Sequence, residues 1–368
     1  MNVTLALLIV LSVAIAIIVK LVKRTFPILV IASISVIFIF ISALAFFTGK
    51  AGKTIDVEIW NGQVTGKERE RVSCSHSYSC NCRTVYSGSG KDRTSHEECD
   101  TCYEHSNDYD WNVMTNVGDL KIDRVDRQGK TEPERWTKVT VGEPASQAHF
   151  FTNYIKAAPD SIFHFSDELI AEKFNGKIPD YPKEVYDYYR FNHVLTVGVP
   201  VPDLDKWNND VANILKKLGP SKQANVIILF VNTNDPNYEY ALRSKWLGGK
   251  KNDIVVILGV TQYPAIDWAR VMTWSDKEIF KVVLRDRLTE IKEVNRQEVL
   301  TAVDEVTTRS FKRKEMKDFE YLADEIDPPM WVIILAIGVI VLLGAYFSTS
   351  YQFENFVFRN FGRVGRRF

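Results

Sequence analysis

Neither sign of charge is in excess: 46 Lys and Arg balance 46 Asp and Glu, for a formal net charge of +0. A chain with no basic surplus is not built to neutralise a phosphate backbone, so nucleic acid is not an expected partner. Catalytic signatures are missing as well. No G-x-S-x-G elbow, Walker loop, H-E-x-x-H or dinucleotide fingerprint occurs, which removes the ready-made nucleophiles and phosphate cradles those motifs supply. Histidine is scarce at six residues, and His149, His164 and His193 stand singly, each read as structural for want of a nucleophile beside it. Cysteine is equally scarce at five residues.

Three segments lack charge altogether. Residues 3–19, 26–48 and 330–347 are uncharged and apolar in a chain that is 25% charged as a whole. Each approaches the ~20 residues that cross a bilayer as a helix, and all three are expected to be transmembrane. Without Asp, Glu, Lys, Arg or His inside them they mark no polar pathway, which weighs against a channel or transporter. Lys20, Lys23 and Arg24 fill the first link, and Arg359, Arg363, Arg366 and Arg367 follow the third span. Positive charge marks those segments as cytoplasmic, which leaves residues 49–329 extracytoplasmic in a multi-pass protein of the cytoplasmic (inner) membrane. Trp331 and Tyr346 suit the two interfaces. A competing reading treats Ala43-Leu44-Ala45 as a signal-peptide cleavage site; the length of the apolar run argues against it. The aromatic and basic tail, residues 349–368, suits an anionic membrane surface.

All five cysteines fall between Cys74 and Cys102, interleaved with His76 and His96 and followed by His105. Two arrangements compete, and a third, a catalytic metal with Glu97, Glu98 or Asp100 as base, is disfavoured because acids in so polar a cluster are expected to be solvated. Cys80, Cys82, Cys99 and Cys102 supply four thiolates to a tetrahedral structural Zn²⁺, with Cys74, His76, His96 and His105 as alternates. Otherwise two disulfides cross between the close pairs and leave one thiol, as an extracytoplasmic compartment favours.

The whole reads as an α+β membrane protein. A transmembrane hairpin (1–48) leads to a small antiparallel β module (49–148), in which TIDVEIW, Asn61-Gly62 and QVTGKERERV are expected to form a hairpin and residues 74–105 an inserted Cys/His knuckle. A connector (149–192) precedes an α/β sandwich (193–292) in which an amphipathic helix over 203–218 separates HVLTVGV from ANVIILFV, with NDIVVILGV and DWARVMTW as further strands. Ser275-Asp276-Lys277-Glu278 is expected to cap a helix, and residues 276–325 to be largely helical, with 293–329 forming a long juxtamembrane stalk before the last span (330–348).

The helix before ANVIILFV, the segment EYALRSKWLGGKKNDIVVIL and the strand and helix after it resemble the TPM-domain family over about residues 193–292. Trp246, Gly248-Gly249-Lys250-Lys251 and Asn252-Asp253 fall where that family has a Trp-ended helix, a basic Gly-rich turn and an Asn or Asp at a strand mouth. Met272-Thr273-Trp274 departs from the family's Gly-rich turn. The resemblance implies a membrane-tethered α/β module; family members are linked to phosphatase activity, to assembly or repair of membrane complexes and to receptor regulation. The region from the Asn-Gly pair to the connector resembles uncharacterised membrane proteins of tailed phages and prophages, which implies no function. A site in such a sheet belongs at the strand carboxyl ends, nominating Asn232, Thr233, Asn234 and Asp235, with Asp203 and Asp205, as oxygen donors for Ca²⁺ or Mg²⁺; Asn-Thr-Asn-Asp-Pro also reads as a simple turn and cap.

The expected function is a non-enzymatic membrane-anchored scaffold or interaction protein that contacts the bilayer and either its own copies or another membrane or envelope protein. The alternative is a divalent-metal-dependent phosphohydrolase using the Asp235 loop.

Overall fold

A computed structural model describes residues 2–87, 94–159 and 168–350, together with Phe353 and Phe356. The expected knuckle tip, His164 and most of the basic tail lie outside these residues. The chain begins with α1 (Val3–Val22) and α2 (Ile28–Thr54), then β1 (Ile55–Val72), β2 (Ser77–Ser87), β3 (Thr94–Tyr103), β4 (Asp108–Thr115), β5 (Leu120–Ile122), α3 (Glu134–Thr137) and β6 (Pro144–Thr152). Short elements α4 (Tyr154–Ala157), α5 (Glu168–Lys173), β7 (Val185–Tyr186) and β8 (Arg190–Phe191) lead to the second half. There follow β9 (Val194–Val197), α6 (Leu204–Lys222), β10 (Asn225–Val231), α7 (Tyr238–Lys245), β11 (Asp253–Gly259) and β12 (Trp268–Thr273). The chain ends with α8 (Ile279–Glu290), α9 (Arg296–Ser310), a 3₁₀ segment (Met316–Glu325) and α10 (Met330–Thr349).

Helices α1, α2 and α10 are each long and apolar enough to cross a membrane. They pack on one another through Ala16, Val19, Ile34, Phe38 and Ile340, while Leu7, Phe40 and Leu342 point outward. Small and polar residues set the approach: a Cβ on Gly344 would meet the Ile15 side chain at 2.9 Å, and the buried hydroxyls of Ser12 and Ser42 lie 2.8 Å apart. The α1–α2 link is closed by Lys20, whose ammonium donates to the carbonyls of Arg24 and Phe26.

The β module is a four-stranded sheet in the order β5-β4-β1-β6. Asn61-Gly62 makes no turn in it. Strand β1 runs straight through that pair for 18 residues, its first half antiparallel to β6 and its second half, after a register shift between Val64 and Gly66, antiparallel to β4. The reason is tertiary. The Asn61 amide is buried, donates to the Ala224 carbonyl and the Asn225 side chain, and accepts from Ser146. At Gly62, Asn116 and Val117 occupy the space a Cβ would need, and at Gly219 of α6 the Asn61 carbonyl does the same. The pair is therefore a docking point between sheet and helix, and these contacts outweigh the local turn preference.

The second sheet, ordered β12-β11-β10-β9, has three parallel strands and the antiparallel edge β12. Every residue of β10 and β11 is buried, as a sheet covered on both faces requires. Alternation splits their side chains: Ile228 and Phe230 meet Trp207, Leu215, Phe280 and Val303 of α6, α8 and α9, whereas Ile227 and Leu229 meet Tyr238, Leu242, Trp246 and Ile59 of β1. Helix α7 ends in Trp246, followed by left-handed Leu247, Gly248 and Gly249.

Two expectations about the last third are corrected. Residues 276–325 are not one long helix but α8, α9 and the 3₁₀ segment, packed on their own domain as expected; the chain breaks at residues 291–295, where Val294 N–H donates to the Pro264 carbonyl and Ile266 N–H to that of Lys292. The Ser275–Glu278 capping box does not form, because Ser275 bridges to Arg313; α8 begins four residues later, at Ile279, after Glu278, whose side chain makes no capping bond.

Ionised side chains join the two sheets. Asp56 and Glu58 of β1, both buried, meet Lys250 at 2.6 Å and Arg313 at 2.7 Å respectively, with Asn153 and Lys156 adding to Asp56 and Lys251 to Glu58. Burial resists ionisation of Asp56, but Lys250, Asn153 and Lys156 together hold its carboxyl below the usual range. Asp253 is fully buried, and burial lifts it to about 6 although Asn225, the Lys250 N–H and Tyr181 all donate to it.

Candidate functional site: the stapled arm and its root

Between β1 and β4 the chain leaves the body as a two-stranded ribbon, β2 paired antiparallel with β3. Its side chains are nearly all exposed, so no apolar core holds the described strands together. Disulfides Cys80–Cys102 and Cys82–Cys99 take that place, with an Arg83–Glu98 ion pair at 3.0 Å. The sulfurs expected to hold zinc are thus paired with each other. The disulfide pattern between the two cysteine pairs is the arrangement formed: the antiparallel ladder sets Cys80 opposite Asp100 and Cys102 opposite Tyr78, two residues out of step, and the Cys80–Cys102 bridge spans that offset diagonally. A register shift between Cys80 and Arg83, with left-handed Asn81, turns Cys82 toward Cys99.

Cys74, the remaining thiol, is buried at the root of this arm. There the outgoing segment carries Cys74 and His76 and the returning one His105 and Asp108. Cys74 Sγ lies 3.7 Å from His105 Nδ1, His105 Nδ1 lies 3.3 Å from Asp108 Oδ1, and His76 Nδ1 lies 3.5 Å from Asp108 Oδ2. One donor atom from each residue falls within 4.8 Å of all the others. The backbone N–H of His76 donates to Cys74 Sγ at 3.4 Å, and Glu104 N–H to the His76 carbonyl at 3.0 Å, tying the two segments together.

Asp108 is wholly inaccessible. Its Oδ2 accepts from Arg124 at 2.9 Å and from the Ser75 N–H at 3.2 Å; its Oδ1, like Nδ1 of His76, is a buried atom with no hydrogen-bond partner. Burial would raise this carboxyl, yet the donors from Ser75, Arg124 and Cys74 outweigh it and bring Asp108 to about 2. Arg124 also binds Asp110 at 2.6 Å, and Lys121 pairs with Asp110. Sequence reasoning reached Cys74, His76 and His105 as alternates and missed Asp108, which lies beyond the cysteine segment and is brought in by the first residue of β4. His96 sits on the exposed arm opposite Val85, away from the root.

The other nominated residues do not converge. Asp235 receives Lys173 at 2.5 Å and the Asn237 N–H at 2.9 Å, and hydrogen bonding to Lys173 leads in holding its carboxyl below the usual range. Asn232 donates to the Gly198 carbonyl, and the Thr233 carbonyl accepts from Trp268. Asp203 is paired with Lys206 at the start of α6. These are the contacts of a turn and its neighbours. His149 stacks on Trp60 with ring centroids 4.0 Å apart, and His193 is buried with Nδ1 bonded to the Val226 carbonyl; burial pushes it down to about 4.

No protein-family model, curated protein or solved structure matches the chain.

Proposed function

We propose that this protein is a membrane-anchored extracytoplasmic scaffold whose stapled arm engages a protein partner, either a second copy of the chain or another membrane or envelope protein. The observation that carries this reading is the arm itself. Two strands with almost no buried side chain are held rigid by covalent bonds and extend from a body fixed to three apolar helices. A ribbon of fixed shape displaying Tyr78 and Tyr103 loses little conformational entropy on binding and offers aromatic anchors. Disulfides persist where the medium is oxidising, in keeping with residues 49–329 outside the cytoplasmic membrane and Lys20, Lys23 and Arg24 inside. The α/β half is, on this reading, a TPM-like module serving as the rigid base. The phosphohydrolase alternative draws no support from the Asp235 loop, where Lys173 already neutralises the carboxylate.

The test is photo-crosslinking in native membranes, with a photoreactive aromatic residue at Tyr78 or Tyr103 of the full chain and exposed Tyr321 as control. Discrete adducts from the arm positions alone are expected. Adducts absent from the arm, or equal at Tyr321, would remove the scaffold reading. Sidedness is checked with an impermeant maleimide: Ser221→Cys should label in intact cells and Lys23→Cys only after permeabilisation.

A further inference from the structure

The geometry points to a structural zinc site formed by Cys74, His76, His105 and Asp108, which clamps the root of the arm. Zinc binds thiolate at about 2.3 Å and imidazole or carboxylate at about 2.0–2.2 Å, so neighbouring donors of a tetrahedron stand about 3.3–3.6 Å apart. Two donor–donor separations match this, 3.3 Å between His105 Nδ1 and Asp108 Oδ1 and 3.7 Å between His105 Nδ1 and Cys74 Sγ, and His76 Nδ1 lies beside the same carboxylate, 3.5 Å from its other oxygen. A hydrogen-bonded cluster without metal would satisfy its buried polar atoms, yet Asp108 Oδ1 and His76 Nδ1 are buried and make no hydrogen bond, although His105 Nδ1 stands 3.3 Å from the first and Asp108 Oδ2 3.5 Å from the second. Their residues belong to the four that each offer a donor atom within 4.8 Å of the others.

Charge and surroundings agree. One thiolate and one carboxylate neutralise Zn²⁺, and two neutral imidazoles complete the shell. The atoms around the donors are placed as second partners of a metal site require: Arg124 and the Ser75 N–H fix the far oxygen of Asp108, and the His76 N–H points at the Cys74 sulfur. Sulfur and nitrogen donors exclude Ca²⁺ and Mg²⁺, which take oxygen. Two histidines and a cysteine also suit copper, but the carboxylate stands as near as the imidazoles, whereas copper sites of that type keep a weak and distant fourth ligand. Four protein donors leave no open position, so the site is structural. Metal ligation further explains how an unpaired thiol persists next to two disulfides in an oxidising compartment.

The experiment uses the full-length chain purified in detergent without added chelator. Elemental analysis should find one zinc per chain, and thiol titration under denaturing conditions one thiol. Exchange into Co²⁺ should give tetrahedral d–d bands and a thiolate-to-cobalt charge-transfer band, a readout that needs no variant. Cys74→Ser and Asp108→Asn should each lose stoichiometric zinc, whereas the Cys80→Ser, Cys102→Ser double variant should keep it. Arg124→Gln should weaken zinc binding about 10–100-fold while the cobalt spectrum stays tetrahedral. Purification with copper, an octahedral cobalt spectrum, zinc retained by Cys74→Ser, or a folded wild-type chain that binds no zinc when zinc is supplied would each overturn the assignment.

Discussion

The α/β half and the arm hold their strands together by opposite means. In β10 and β11 every side chain is buried and nothing is covalently tied; in β2 and β3 almost every side chain is exposed and two disulfides join the pair. Burial of a Phe or Leu contributes about 1.5–3 kcal/mol, so the sheet gains its stability from the folded state. A disulfide acts chiefly by restricting the unfolded chain, so the arm needs no core to stay ordered. Mutations should therefore divide sharply: packing changes are severe in one region and nearly silent in the other.

The largest effect is expected at Phe230, which packs on Trp207 with ring centroids 5.2 Å apart. Phe230→Ala should cost about 3–5 kcal/mol, read as a lower denaturant midpoint for the body. Next is the seam between the sheets: Arg313→Met leaves the buried Glu58 only Lys251 at 3.5 Å and the Trp60 indole N–H, and should cost about 3 kcal/mol in the same titration. If it costs nothing, the sheets are joined by apolar contact and the charges are incidental.

Protonation provides a gentler probe of the buried half. His193 has its folded pKa lowered to about 4 from 6.5, so the unfolded chain takes up its proton first as pH falls. The stability it supports is complete above about pH 6.5 and is lost between there and pH 4, by about 3 kcal/mol in full. Asp253, raised to about 6, works the other way: its folded form stays protonated, and stability declines as pH rises from about 4 to 6. His193→Asn keeps a donor for the Val226 carbonyl and removes the first titration. The difference between wild type and variant should widen from pH 4 to 6.5, and a constant difference would show that His193 is not held neutral.

The smallest effects belong to the arm. Tyr103→Ala should change stability by no more than about 0.5 kcal/mol. Replacing Cys80 and Cys102 by Ser should leave the denaturant midpoint of the body unchanged, while hydrogen exchange speeds up in β2 and β3 alone. A shift in the body's midpoint would mean that the arm folds cooperatively with the sheet, and the contrast between the regions would fail.

How much of this was legible in the sequence follows the same division. Long-range burial leaves a pattern, and the three apolar spans, ANVIILFV, NDIVVIL and the amphipathic α6 emerge as expected because their periodicity is that of the surfaces they meet. Local rules failed where a distant element took over the residue. Asn61-Gly62 is a strong turn signal until Ala224, Asn225 and Ser146 claim the amide and α6 presses on the backbone. The helical stretch 276–325 is broken at residues 291–295, where the loop at Pro264–Ile266 offers backbone partners. At the arm, spacing limited the cysteines to two arrangements without choosing between them, and the ladder register decides. Asp108 carried no signal at all, being one acid among many until the fold buries it.

Helix α2 passes into β1 with no intervening residue, and β1, through its register shift at Val64–Gly66, continues as one strand to the root of the arm. At about 3.3 Å per residue that strand is a strut some 60 Å long. At the junction of helix and strand, Lys50 and Lys53 also donate to the carbonyls of Ala323 and Asp327. A pull on the arm along β1 therefore loads its ladders with β4 and β6 in shear rather than rung by rung, and α2 and the arm lie at the two ends of one strand.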